Sequence, residues 1–365
     1  MSKKIKFLAY YLPQYHQIPE NDEWWGEGFT EWTNVKKAKP LFKGHQQPVI
    51  PGELGYYDLL KTEGIQEKQA KLAKEYGIDG FIYYQYWFGN GKMLLEKPAE
   101  RMLADKNVDI PFCFCWANET WSGIWHGLSG KILAKQTYPG EEDEQAHFDY
   151  LIPFFQDDRY IKIDEKPLFI IYDALAIPNL PEYIERMRRR AKMAGFSDIF
   201  IVASNKNRDD FDYETIGFDA KISHAFNEEF NKIIPKVNQA FKNKLWNKFN
   251  LTFGREFTPS YKIDYMRFHQ KIRYSELSIN TFPMVLPNWD NTPRSERRGI
   301  VMTGSSSKNF HIELKKANDF LNNSQQKHKI IVLKSWNEWA EGNYLEPDLK
   351  NKNEFLKVIK EVSNS

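Results

Sequence analysis

The chain has 365 residues, with 51 Lys and Arg against 49 Asp and Glu, a formal net charge of +2. That balance supplies no global field for drawing in nucleic acid or an anionic membrane surface, and 41% hydrophobic against 27% charged residues excludes a disordered polymer. The unusual figure is aromatic: 11 Trp, 19 Tyr and 26 Phe, 15% of the chain.

From the N-terminus, Met1-Ser-Lys-Lys-Ile-Lys is basic, but the apolar stretch 7–12 is shorter than a signal-peptide core and no small-residue cleavage site follows. No run reaches the ~20 apolar residues of a membrane span. A cytoplasmic protein without an integral membrane segment is expected. Short apolar runs rich in β-branched and aromatic residues then recur at 5–10, 80–84, 111–116, 168–172, 199–204, 220–223, 282–287 and 330–335. Several are continuous rather than alternating, as parallel strands covered on both faces require. Helical intervals separate them: 64–76 gathers Ile65, Ala70, Leu72, Ala73 and Tyr76 on one side, and 181–194 is similar and Arg-rich. Eight strand–helix units predict an α/β fold, a single (β/α)8 TIM barrel over residues 1–365. A doubly wound sheet is the alternative, but no G-x-G-x-x-G follows the first strand and no G-x-x-x-x-G-K occurs.

Two loops, after strands 1 and 6, are long. The first runs from Tyr11 to about Glu63; the second is a helical insertion at about 225–281, basic because 226–275 holds ten Lys and Arg against four Asp and Glu. Loops of such length in a compact domain carry structure or function of their own. The insertion reads either as a solvated helical addition or as a dock for an anionic glycan, a lipid-linked carrier or a protein partner. Cys113 and Cys115, two apart in an apolar strand, read as ordinary buried cysteines and not as a disulfide or metal framework.

The active site of a (β/α)8 barrel lies at the carboxyl ends of its strands. Trp24, Trp25 and Trp32 follow strand 1, Trp87 follows strand 2, Trp116, Trp121 and Trp125 end or follow strand 3, Trp289 follows strand 7, and Trp336 and Trp339 follow strand 8. Ten of eleven tryptophans thus gather at one end; Trp246, in the insertion, is the exception. Aromatics capping a barrel end is the plain reading. An aromatic-lined cleft with polar residues interleaved is better explained as a ligand site, and indole faces suit the C–H faces of sugar rings. An oligosaccharide or polysaccharide substrate follows.

After the last strand, Lys334-Ser-Trp-Asn-Glu-Trp-Ala-Glu-Gly342 sets Glu338 and Glu341 three residues apart, a spacing that shares one pocket around a helical turn. Glycosidic chemistry commonly uses two acids, one protonated and one ionised, and burial among indoles separates two such pKa values. E-x-x-E also occurs on solvated helices; its place at the barrel mouth gives it meaning. Trp116-Ala-Asn-Glu-Thr-Trp121 offers Asn118 and Glu119, and Pro287-Asn-Trp-Asp-Asn-Thr-Pro-Arg294 offers Trp289, Asp290 and Arg294. Tyr10-Tyr-Leu-Pro-Gln-Tyr-His16 offers Tyr11, Tyr15 and His16, while the second loop offers Tyr83, Tyr84 and Tyr86. Each has a plainer role: Asn118 as a helix cap, Asp290 in an Asx turn, His16 as a satisfied structural histidine.

On the stretches YYLPQYH, EWWGEGFTEW, YYQYW, FCWANETW, NWDNTPR and SWNEWAEGNYLEPD, the sequence resembles the WbsX family, bacterial proteins labelled glycosyltransferases and found with cell-surface polysaccharide (O-antigen and capsule) biosynthesis. That family is similar in turn to the glycoside hydrolase family 99 barrels, the endo-α-mannosidase family, most closely at Asn337-Glu-Trp-Ala-Glu-Gly342. The resemblance implies a retaining mechanism in which Glu338 assists the substrate's own 2-hydroxyl in attacking the anomeric carbon, through an epoxide-like intermediate, while Glu341 serves as general acid and then base. Neither role calls for a metal or cofactor, and none is expected. Ala340 departs from the histidine usual in the hydrolases, so mannose specificity does not carry over. The candidate sugar-binding residues, read from their place at the barrel mouth, are Tyr11, Tyr15, His16, Trp24, Trp32, Tyr84, Trp87, Trp116, Asn118, Glu119, Trp121, Trp289, Asp290, Arg294, Trp336, Asn337 and Trp339.

Two alternatives stand beside this reading. Asp210-Phe-Asp212 is a D-x-D that would hold a divalent ion against the diphosphate of a nucleotide sugar. A non-catalytic glycan-binding barrel is the other, against which the paired glutamates weigh.

Overall fold

The computed structural model describes residues 4–123, 132–204, 211–223, 229–230, 232 and 261–365. Its centre is a nearly closed barrel of nine parallel strands: β1 Lys6–Tyr11, β2 Gly80–Trp87, β3 Phe112–Trp116, β4 Lys166–Ile171, β5 Phe200–Ala203, β6 Ala220–Ile222, β7 Thr281–Phe282, β8 Met284–Val285 and β9 Ile330–Leu333. Each of the eight expected strands is present. The ninth arises because the seventh stave is split at Pro283, which has no N–H to give the ladder. Its first half pairs with β6 and its second with β9, and the Pro283 carbonyl accepts from Val332 N at 2.9 Å. Around the rest, strands pair in chain order from β1 to β6, and β9 pairs back onto β1, Lys6 opposite Ile330.

Helices cover the strands: α1 Pro19–Trp25, α2 Glu31–Lys37, α3 Ile65–Glu75, α4 Lys97–Ala104, α5 Glu141–Phe155, α6 Leu180–Met193, α7 Ser307–Asn323 and α8 Glu354–Ser363. The amphipathic reading of 64–76 becomes α3, with Ile65, Ala70, Leu72 and Ala73 buried. Four acids, Glu141, Glu142, Asp143 and Glu144, occupy the first turn of α5, where they oppose the positive end of its dipole. Ser306 caps α7, accepting from Asn309 N at 3.2 Å. β2 and β3 are buried along their whole lengths, which explains their unbroken apolar sequence. Gly80 opens β2 because a Cβ there would come 2.8 Å from the Pro111 carbonyl and the Ile161 side chain.

Period-two alternation sorts the aromatics between the two faces of the barrel wall. Tyr10 of β1 reaches across the interior to Ser204, just beyond β5, hydroxyl to hydroxyl at 2.9 Å, and Tyr84 stacks on it with centroids 4.9 Å apart. Tyr11 points the other way and donates to Gln69 Oε1 of α3 at 2.8 Å. On β2, Gln85 and Trp87 likewise face outward onto His147 of α5.

The long first loop holds α1 and α2. Of the interval assigned to the basic insertion, the described residues include a strand as well as a helix: Tyr261–Asp264 pairs in parallel with Ile300–Thr303 outside the barrel, and Tyr265–His269 is helical. Trp125, Asp210 and Trp246 lie outside the described residues. Among the described residues, no helix is long and apolar enough to cross a membrane.

Candidate functional site

Beyond β9 the chain forms a small hairpin. Asn337–Glu338 pairs antiparallel with Asn343–Tyr344, and a 3-10 turn, Trp339–Glu341, joins them through Gly342 at φ 66°. The three-residue spacing of Glu338 and Glu341 is therefore realised in a tight hairpin turn rather than on an α-helix, and each carboxylate bears on the other electrostatically.

Two cations attend them. Arg294, from the loop after β8, gives Nη1 to Glu341 Oε1 at 2.5 Å. Its Nε and Nη2 both go to Glu31 Oε1, at 3.1 and 2.6 Å, so one guanidinium bridges two acids. Asn343 Nδ2 donates to the other Glu341 oxygen at 3.3 Å. Lys334, one residue past β9, stands 3.2 Å from Glu338 Oε2 and donates to the Tyr84 hydroxyl at 3.2 Å. Glu338 is 5% exposed and Glu31 1%, whereas the side chains of Arg294 and Glu341 are each 20% exposed, the edge of the cluster that solvent reaches.

Burial pushes the Glu338 carboxyl above the ordinary glutamate range; Lys334 pulls it back and Glu341 adds to the rise. Burial likewise raises Glu31 against the pull of Arg294. For Lys334, burial disfavours the cation, but Glu338 and Glu341 outweigh it and hold its pKa above the usual value. Tyr84, Tyr86 and Tyr172, which all sense the Glu338 charge, are pushed up by burial and remain phenols. The assembly suits proton exchange beside a group held by hydroxyl donors. Tyr86 packs edge-on against Trp121 at 5.0 Å and Trp121 against Trp24 at 6.1 Å, and both indoles are half-buried, giving this side an aromatic wall.

Residues 7–359 match the family model described as Glycosyltransferase WbsX. The chain belongs to the WbsX glycosyltransferase family. It is 34% identical over 348 residues to WxcX of Xanthomonas campestris pv. campestris, a protein described as uncharacterized, covering 94% of this chain and 47% of that one. A second strain's WxcX gives the same figures, so the chain spans about half the length of these relatives. Its fold is similar to that of a glycoside hydrolase-like protein, with TM-score 0.59, 14% identity, and 99% and 94% of the two chains covered. It is similar also to the GH99 endo-α-mannosidase of Bacteroides thetaiotaomicron, at TM-score 0.57 and 14% identity over 98% and 96%. At such identity the likeness is one of fold.

Of the sugar-binding candidates in this WbsX-family chain, Tyr84, Trp24, Trp121 and Arg294 come together with the two glutamates, and Glu119 bears on Tyr172 beside them. Others fill structural positions. Tyr11, Trp87 and Trp116 face outward; Trp87 stacks on His147 at 4.8 Å and Trp116 packs on Tyr183 of α6. Tyr15, Trp32, Trp336 and Trp339 are buried, with Trp32 Nε1 bonded to the Tyr57 carbonyl and Trp339 Nε1 to Glu346 Oε2 at 2.6 Å. Asn118 braces the Asp173 backbone from both sides, and Asn337 does the same for Leu12. Asp290 accepts from His45 Nε2 at 2.8 Å, Gln47 Nε2 at 2.7 Å and Thr292 Oγ1 at 2.6 Å. Trp289 lies against Phe230, centroids 5.0 Å apart, and His16 Nδ1 meets the Pro13 carbonyl at 3.0 Å.

Three acid or base groups escaped the sequence reading. Lys334 was visible as a lone charge ending an apolar strand. Glu31 and Glu346 carried no local signal, since their burial depends on partners far along the chain. Glu346 sits beneath the site and takes hydrogen bonds from Trp339, Gln69 and Tyr57. Of the alternative D-x-D, Asp212 Oδ1 accepts backbone N–H groups of Glu214 and Thr215, at 3.1 and 3.4 Å. Among the described residues, no three or more His, Cys, Asp and Glu side chains group as a metal site.

Proposed function

We propose that the chain is a carbohydrate-active enzyme that cleaves or transfers glycosyl units of a bacterial cell-surface polysaccharide, with Glu338 and Glu341 as its acid–base pair. One observation carries this reading: two carboxylates in electrostatic contact at the carboxyl end of a barrel, each attended by a cation and together facing a wall of phenols and indoles. In the division implied by the resemblance, Glu341 gives a proton to the leaving oxygen, while Glu338, whose basicity burial raises, takes one from an attacking hydroxyl. In the retaining course implied by the resemblance, that hydroxyl is the substrate's own at C2. Family membership favours an acceptor glycan and the fold likeness favours water; the two differ only in what enters the cleft second.

The test is to incubate the protein with the polysaccharide of its own host in H2-18O and read the products by mass spectrometry. New chains carrying one heavy oxygen at the reducing end are expected from hydrolysis, and unlabelled chains of altered length from transfer. An unchanged polysaccharide profile, together with tight glycan binding, would contradict the proposal and favour a glycan-binding barrel.

A further inference from the structure

We propose that the rim of the barrel mouth beside the Glu338 hairpin is a docking surface for an anionic lipid bilayer. The proposal goes beyond the glycosyl-processing reading and does not depend on it.

The overall charge of +2 conceals a local asymmetry. Between Trp32 and Tyr57 the first loop carries four lysines, Lys36, Lys37, Lys39 and Lys43, against a single acid, Glu53. The turn that follows the hairpin, 349–352, adds Lys350 and Lys352 and no acid. All six lysines are exposed, and among the described residues none of them is ion-paired, so their charge faces outward. Hydrogen bonds join the two segments. Leu349 N donates to the Ile50 carbonyl at 3.0 Å, Gly52 N to the Pro347 carbonyl at 2.7 Å, and Lys350 Nζ to Gln46 Oε1.

Apolar side chains stand among these charges. Leu349 is 64% exposed and Ile50 and Tyr56 39% each, so three of the eight large hydrophobic side chains most open to solvent among the described residues gather on this rim. Ile50 and Leu349 are neighbours across the backbone bond. Tyr56 is linked to them around the hairpin: it packs edge-on against Trp32 at 5.1 Å, and Trp32 lies 5.4 Å from Trp339. Trp339 in turn stacks on Tyr344 at 3.9 Å, whose hydroxyl donates to Asp348, beside Leu349, at 2.8 Å. Lys36 Nζ sits 4.5 Å over the Tyr56 ring and Lys262 Nζ 4.0 Å over that of Phe42, so cation and aromatic surface are presented together.

This combination selects the partner. Lysines clustered without acids are drawn to anionic headgroups, each tightening adsorption about fivefold near the surface. Charge alone would serve a soluble polyanion equally well. Exposed Leu and Ile leave water by entering the boundary between headgroups and acyl chains, the level at which Tyr rings and lysine stems also settle. Basic and apolar signals together give firmer attachment than either supplies. A bilayer at this rim holds the Glu338 hairpin at the membrane surface.

Co-sedimentation of the protein with vesicles tests the proposal. Binding to mixed phosphatidylglycerol–phosphatidylcholine vesicles is expected at low salt, weakening in high salt as charge is screened, with little binding to phosphatidylcholine alone. Lys36→Gln, Lys37→Gln, Lys39→Gln and Lys43→Gln together are expected to weaken it by about 100-fold or more. The same charge removed from the opposite end of the barrel, by Lys4→Gln, Lys6→Gln, Lys162→Gln and Lys192→Gln, is expected to change it by less than about threefold, since screening isolates distant charges. Ile50→Ser with Leu349→Ser is expected to weaken vesicle binding by about tenfold and to leave binding to dextran sulfate unchanged. No sedimentation with the anionic vesicles, or equal losses in the two lysine variants, overturns the proposal. So does vesicle binding that ignores the serine substitutions, which makes an anionic polymer the occupant, or a dimer in solution that those substitutions dissociate, which makes it a second copy of the chain.

Discussion

Asp290 and Gly342 meet backbone to backbone at the barrel mouth. Asp290 N donates to the Glu341 carbonyl at 2.8 Å, and a Cβ on Gly342 would fall 2.6 Å from that nitrogen. Gly342 also has φ 66°, a conformation that costs an L-residue. Gly342→Ala is thus expected to force the two loops apart, destabilising the fold by about 1–3 kcal/mol and lowering turnover further than stability alone explains. Thermal unfolding beside a rate measurement checks it; a variant with wild-type values of both would contradict the close approach.

Asp290 holds its loop through three side-chain donors. Replacing it by alanine leaves His45 Nε2, Gln47 Nε2 and Thr292 Oγ1 without their acceptor, at about 1–3 kcal/mol for each donor left buried. Denaturant unfolding of Asp290→Ala is expected to show a loss of several kcal/mol. A stable variant whose only defect is weak glycan binding would return Asp290 to the ligand.

Glu346 gives stability a pH dependence of known sign. Burial pushes its carboxyl up to about 7, although Trp339, Gln69 and Tyr57 donate to it. A carboxyl whose pKa is higher folded than unfolded contributes fully below the unfolded value, about 4.3, and its contribution fades as pH rises through the folded value, on the order of 3 kcal/mol here. The unfolding free energy is expected to fall from about pH 4.3 to above 7, and to fall less steeply in Glu346→Gln. Glu31 and Glu338, raised in the same direction, retain part of the slope. Equal slopes in both proteins would refute the assignment.

The aromatics divide into two classes with different readouts. Trp121→Ala, on the wall beside Tyr86, is expected to weaken glycan binding by roughly 1 kcal/mol, about fivefold, with little change in stability. Trp116→Ala, buried between His147 and Tyr183, is expected to cost about 3–5 kcal/mol of stability with no specific loss of binding. Calorimetry with a host oligosaccharide and chemical unfolding separate the two; exchanged outcomes would place the cleft outside the barrel.

Much of the fold was legible because continuous apolar strands and amphipathic helices announce themselves locally. Position along the chain located the mouth but not the face: Tyr10 and Tyr11 are adjacent, yet one bonds Ser204 across the interior and the other bonds α3. Tryptophans near strand ends accordingly divide between Trp121, which packs on Tyr86, and Trp87, which stacks on His147 on the outer face. Glu338, Glu341 and Arg294, singled out by composition and place, lie together in the structure. Glu31 was not singled out, since what makes it matter is a bond to a residue 263 positions away.

Glu338 and Glu341 are proposed to process a glycan. The most direct measurement is turnover of the host polysaccharide by wild type, Glu338→Gln and Glu341→Gln, with binding to each followed in parallel. Binding retained within a few-fold and turnover reduced by about 100-fold or more in both variants is the predicted result. Turnover unchanged in either variant would contradict it.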